Sequence, residues 1–257
     1  MKKLFRLSLV FMAMVLEGCA SSGGGSAGTP QQDTTRAQAI ARIHTELAAS
    51  YYERTQYAVA LQEVAVALKA DSNYPPAYNV RAMVRIALHE DEQAEADFGR
   101  SLQLDSTNSE THINYGWFMC DRGHIKEAIT QFQEALKNPL YANPEMAYVN
   151  LAMCSQKAGL VKDVESNFQR ALVLRPGMPE ALYGLAGWSY DKGDYAGAKS
   201  YFARFAQGFS DLNAEQLWLA VRIERKMHDR NSEASYALQL RKHFPASREA
   251  QLLLQGE

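Results

Sequence analysis

From about Arg36 onward, apolar residues recur at helical spacing, and polar or glycine-bearing breaks divide them into short segments. The pattern then repeats itself. A small residue falls at Ala48, Ala82, Gly116, Ala152, Ala186 and Ala220, with spacings of 34, 34, 36, 34 and 34 residues. A second small position runs through Ala60, Ala94, Ala128, Val164, Ala198 and Ser232 at the same spacings. Four residues after each of these comes a bulky one: Val64, Phe98, Phe132, Phe168, Phe202 and Tyr236. Three columns kept in register over six units predict six copies of one supersecondary element.

Each unit reads as two antiparallel helices. They approach closely only where Ala or Gly removes side-chain bulk, and the aromatic after the second crossing fills the space against the next unit. Gly123, Gly159 and Gly193 stand at turns that need a left-handed C-cap. This is the tetratricopeptide pattern, and it predicts an all-α fold, a right-handed α-solenoid of six helix-turn-helix repeats. The repeats fall at about 41–74, 75–108, 109–144, 145–178, 179–212 and 213–245, with a C-terminal cap over 246–257. Pro139 to Pro144 adds two residues between the third and fourth units. A late column that is Ala67, Ser101, Ala135 and Ala171 becomes Phe205 and Gln239, so the last two units should pack differently.

The N-terminus has another character. Lys2, Lys3 and Arg6 precede an apolar run from Leu7 to Val15, the layout of a secretory leader. That run is too short for a permanent bilayer span, which needs about 20 residues. Leu16-Glu17-Gly18-Cys19 resembles a bacterial lipobox, with Glu17 the one residue outside the usual pattern. The resemblance implies cleavage after residue 18 and a diacylglycerol plus an N-acyl chain on Cys19. Ala20, a residue other than Asp after the cysteine, implies sorting to the outer membrane, with the body facing the periplasm. Residues 19–35 hold the expected lipidated Cys19 and, over 20–35, small and polar residues that read as a flexible linker, spanning on the order of 22 Å.

The chain carries 27 Lys+Arg and 29 Asp+Glu, a net charge of −2. Loss of Lys2, Lys3, Arg6 and Glu17 with the leader takes it to −4. Such a balance argues against nucleic acid as a partner. No phosphate loop, HExxH, GxSxG or paired-cysteine metal spacing occurs, and the six histidines are scattered. An enzyme is not expected, nor any cofactor beyond the Cys19 lipid. Cys120 and Cys154 lie in the first helices of successive units. Helix axes about 8–10 Å apart and the two-step offset in register favour buried free thiols over a bridge.

In this architecture the first helices line the concave side. The positions expected to face a partner are Tyr52, Met83, Ile86, Ile113, Trp117, Val149, Met153, Tyr183 and Tyr190, an apolar stripe suited to an extended segment or amphipathic helix. Asn114 and Asn150 share a column where amides can hold a peptide backbone, and Asn79 stands one step away.

Particular segments carry a closer resemblance. Asn114-Tyr115-Gly116-Trp117-Phe118-Met119-Cys120, the Leu140-Tyr141 insertion, Leu217 to Ile223, and Ser235-Tyr236-Ala237-Leu238-Gln239-Leu240 look like the PilF/PilW family of type IV pilus biogenesis lipoproteins. The resemblance implies a pilotin, and the body is expected to be monomeric. Such a protein binds subunits of the outer-membrane secretin and promotes their localisation and assembly. Tetratricopeptide lipoproteins that serve outer-membrane barrel assembly or periplasmic proteolysis remain the alternative.

Overall fold

The computed structural model describes residues 30–256. The expected leader, the Cys19 lipid site and most of the linker lie outside the described residues. Thirteen α-helices and no strand occur among those described. They pair as α1 (Pro30–Glu53) with α2 (Tyr57–Ala70), α3 (Pro75–Ala87) with α4 (Asp91–Leu104), and α5 (Ser109–Asp121) with α6 (Ile125–Lys137). The series continues with α7 (Pro144–Lys157) and α8 (Val161–Leu174), α9 (Pro179–Asp191) and α10 (Tyr195–Ala206), and α11 (Ala214–Lys226) and α12 (Arg230–His243). A last helix, α13 (Arg248–Gln255), lies against α11 and α12. The fold is a tetratricopeptide solenoid.

The repeat columns become the core. Ala48, Ala82, Ala152 and Ala186 are fully buried, as are Ala60, Ala94, Ala128, Val164 and Ala198. At Gly116 even a methyl group is too much, because a Cβ there would stand 2.6 Å from Cε1 of Phe132. Phe98, Phe132 and Phe168 are among the largest fully enclosed side chains and stitch each pair to its neighbours. Ser101 fits its alanine column because its hydroxyl bonds Pro75 O and meets Thr111 Oγ1, each at 2.9 Å. Phe205, in the same column three units later, packs against Tyr183, Phe202 and Phe209. Each turn within a repeat has one left-handed residue: Gly123, Gly159 and Gly193, but Thr55, His89 and His228 in the others. The cap is α13. Ser247 Oγ accepts from Ala250 N at 3.1 Å, and Ala250, Leu252 and Leu253 cover Leu217, Trp218, Val221 and Leu240.

Two expectations are corrected. The linker was expected to run through Thr35, yet α1 begins at Pro30. Proline suits a first helical position, the added residues are polar, and Thr34, Thr35 and Arg36 are exposed. Composition alone reads such a segment as coil.

The second correction concerns the thiols. Cys120 and Cys154 form a disulfide, their Cα atoms 5.9 Å apart. An axis-to-axis distance overstates the gap between facing Cα atoms, each of which stands about 2.3 Å out from its helix axis. The offset in register also works the other way. Cys120 is four residues past Gly116, whereas Cys154 is two past Ala152. Two residues turn a helix by about 200°, so one thiol faces forward and the other back, across the same α5–α7 seam. The bridge closes a loop across 34 residues of sequence, which by chain entropy contributes roughly 3–4 kcal/mol. Cys120→Ser/Cys154→Ser, or reduction, should lower stability by about that much in a urea melt, and native protein should show no free thiol at these positions. A free-thiol assay finding both reactive after unfolding without reductant would contradict the bridge.

Candidate functional site

The first helices stack directly on one another, α1 on α3, α3 on α5, α5 on α7 and α7 on α9, while the second helices make no comparably close row. The stack therefore curls toward α1, α3, α5, α7, α9 and α11, and their free faces form its inner wall.

At the centre of that wall, Trp117 and Met153 are 48% and 56% exposed, high values for side chains of their size. They flank a cleft of about 210 Å³. The Cys120–Cys154 bridge and Phe132 contribute to its lining, with Asn150 beside them and Asp121 and Lys157 adding charge. Lys157 Nζ donates to the carbonyls of Cys120 and Asp121, each at 3.2 Å, and stands 3.6 Å from the Asp121 carboxylate. It satisfies the last carbonyls of α5 from the neighbouring repeat. The Asn150 side chain makes no protein hydrogen bond among the described residues, so its amide can serve a ligand backbone. The ensemble is an apolar seat with one amide and a neutralised ion pair, suited to an anchoring side chain on an extended polypeptide.

The other expected residues divide. Val149 is 1% exposed, and Ile113 and Asn79 are buried as well. These three belong to the core and not to the binding face, because their column turns into the seam between successive first helices. Asn79 Oδ1 accepts from Asn114 Nδ2 at 3.1 Å, so it braces Asn114 instead of meeting a partner. Met83 and Ile86 are half-buried against the core beneath α3 and α5. Tyr52 is half-buried beside Tyr57, and burial, then the neighbouring Tyr57, pushes its phenol pKa upward. Tyr183 lies on Phe205, its pKa raised first by burial and then by Glu215, with Arg222 opposing. Tyr190 packs on Tyr195 and beneath the Arg222 guanidinium. Two separate patches result, one around Trp117 and Met153 and one around Tyr183 and Tyr190.

The periodic columns did not single out Lys157, Arg222 or Arg248, because charged residues outside the small and bulky columns carry no periodic signal. His112, one of the scattered histidines, has a structural role. It is buried, Nδ1 bonding Gln131 Oε1 at 2.6 Å and Nε2 bonding Ser106 O at 3.1 Å, and so ties α5 to α6 and to the preceding turn. Among the described residues no cluster of three or more His, Cys, Asp or Glu could hold a metal ion. No described helix is long and apolar enough to cross a membrane.

The fold and its inner face define a tetratricopeptide protein. Comparison narrows the class. The type IV pilus assembly protein PilF of Pseudomonas aeruginosa is 29% identical over 247 residues, covering 96% of both chains. The crystal structure of PilW, described as a widely conserved type IV pilus biogenesis factor, matches with 30% identity and a TM-score of 0.77, over 84% of this chain and 98% of that one. The structure of P. aeruginosa PilF matches with 26% identity and a TM-score of 0.79, over 86% and 100%. No protein-family model matches the chain. The chain belongs to the PilF/PilW family of tetratricopeptide type IV pilus biogenesis proteins.

Proposed function

We propose that this protein is a pilotin: a lipoprotein of the outer membrane, facing the periplasm, that binds subunits of the type IV pilus secretin and promotes their localisation and multimerisation. The observation that carries this reading is similarity to PilF over 96% of both chains. The parts divide the work. Three acyl chains on Cys19 hold the protein at the membrane, since a single chain gives only marginal binding. The residues before Pro30 supply reach. The inner face, with Trp117, Met153 and Asn150 at its centre, is built before the partner arrives, which lowers the ordering cost of association. The protein acts as a binding module and not as an enzyme.

In a strain lacking the gene, detergent-resistant secretin multimers should fall sharply at unchanged secretin synthesis, and expression in trans should restore them. Normal multimers in that strain, or co-purification of barrel-assembly components in place of the secretin, would overturn the proposal.

A further inference from the structure

Arg222 is an unusual arginine in this chain. It lies on α11, two residues beyond the buried Ala220. Its guanidinium carbon stands 4.7 Å over the Tyr190 ring and 5.9 Å from Trp218. Its Nε is buried with no hydrogen-bond partner. No carboxylate lies within ion-pair reach of Arg222 or of nearby Arg248 among the described residues. Other half-buried arginines are treated differently. Arg81 and Arg85 share Asp97, at 2.6 and 2.7 Å, and Arg225 holds Glu233 at 2.8 Å. A half-buried cation with an orphaned donor is costly unless something outside the chain satisfies it.

The space beside it can admit that group. A cleft of about 360 Å³ is lined by Trp218, Arg222, Arg248, Glu249 and Leu252. Two guanidinium groups face a single carboxylate there, so the cleft keeps a net positive charge within an acidic protein. Tyr190 and Trp218 lie against the Arg222 guanidinium, and a planar fork of N–H donors matches a carboxylate in two-point contact. Trp218 and Leu252 offer apolar contact to the residue next to the acid.

We infer that the last repeat and its cap form a carboxylate-binding cleft, in which Arg222, braced by Tyr190 and Trp218 and joined by Arg248, receives the side chain of an Asp or Glu in an extended segment of the bound protein. The inference rests on the reading that this inner face takes a polypeptide, but not on which polypeptide. The cleft and the Trp117–Met153 seat then act as two separate holds on one partner, one ionic and one apolar.

The test uses a random dodecapeptide library displayed on phage by its C-terminal end, so that no peptide has a free terminal carboxylate. The target is the detergent-solubilised full chain. Wild-type protein should enrich one Asp or Glu position, adjacent to an apolar residue, by roughly tenfold over the starting library. Changing that acid to its amide should weaken a selected peptide by a similar factor. Arg222→Gln should lose both effects, and Arg248→Gln, on the exposed cap, should reduce them; matching melting curves show that the fold is retained. Pools with no acidic position, or the same acidic preference in Arg222→Gln and wild type, would overturn the inference. Because no secretin is used, failure here is distinct from failure of the pilotin assignment.

Discussion

Phe132→Ala should cost about 3–5 kcal/mol of folding free energy, the range for truncating an enclosed aromatic. Phe132 is 1% exposed, belongs to the apolar cluster that also holds Phe98, Phe118, Leu151 and Cys154, and leans into the gap that Gly116 leaves open. Its removal leaves a cavity that neighbours on three helices cannot collapse to fill. The loss is a large share of a total stability of about 5–15 kcal/mol. In a solenoid the consequence is also spatial, because each repeat is held by its neighbours and the third sits mid-stack. Urea unfolding of Phe132→Ala should therefore show a lower midpoint and a less cooperative transition. The same ring lines the cleft beside Trp117 and Met153, so partner capture should weaken with it. A loss under about 1 kcal/mol would mean that the third and fourth repeats are not joined through this contact.

The other large effect belongs to the anchor. Under the proposed lipidation, Cys19→Ser removes the attachment and its three acyl chains. Affinity should fall from effectively permanent to none, because each buried CH₂ contributes about 0.8 kcal/mol. The variant should leave the membrane fraction for the soluble periplasm while its melting curve and its binding to the secretin stay unchanged. The secretin should then fail to collect at the outer membrane. Normal outer-membrane multimers in this variant would contradict a tether-based mechanism.

The fold was legible because its information is periodic. Columns such as Ala82, Ala94 and Phe98 recur unit after unit, and a single physical requirement, close helix crossing beside a filled gap, explains each. The disulfide was not legible in the same way. Cys120 and Cys154 occupy different columns, four residues past Gly116 and two past Ala152, and meet across the α5–α7 seam. The start of α1 was hidden by polar composition, since a solvent-facing helical turn at Thr34 and Thr35 has the same residues as a coil. The site was partly legible. Trp117 and Met153 follow directly after the small column, and both project outward. Val149, Ile113 and Asn79 were placed with them because one helix face grades into the next, and deciding between groove and seam takes the distance to the adjoining helix. Arg222 lay outside every column, and its significance comes from what is absent around its guanidinium.

The most direct measurement of the central claim is site-specific photocrosslinking in living cells. Photo-reactive residues at Met153 and Tyr183 on the inner face should each yield an adduct with the secretin, whereas the same residue at Gln133, exposed on the outer helix α6, should not. Adducts of equal yield at all three positions, or none to the secretin from either inner position, would contradict the account.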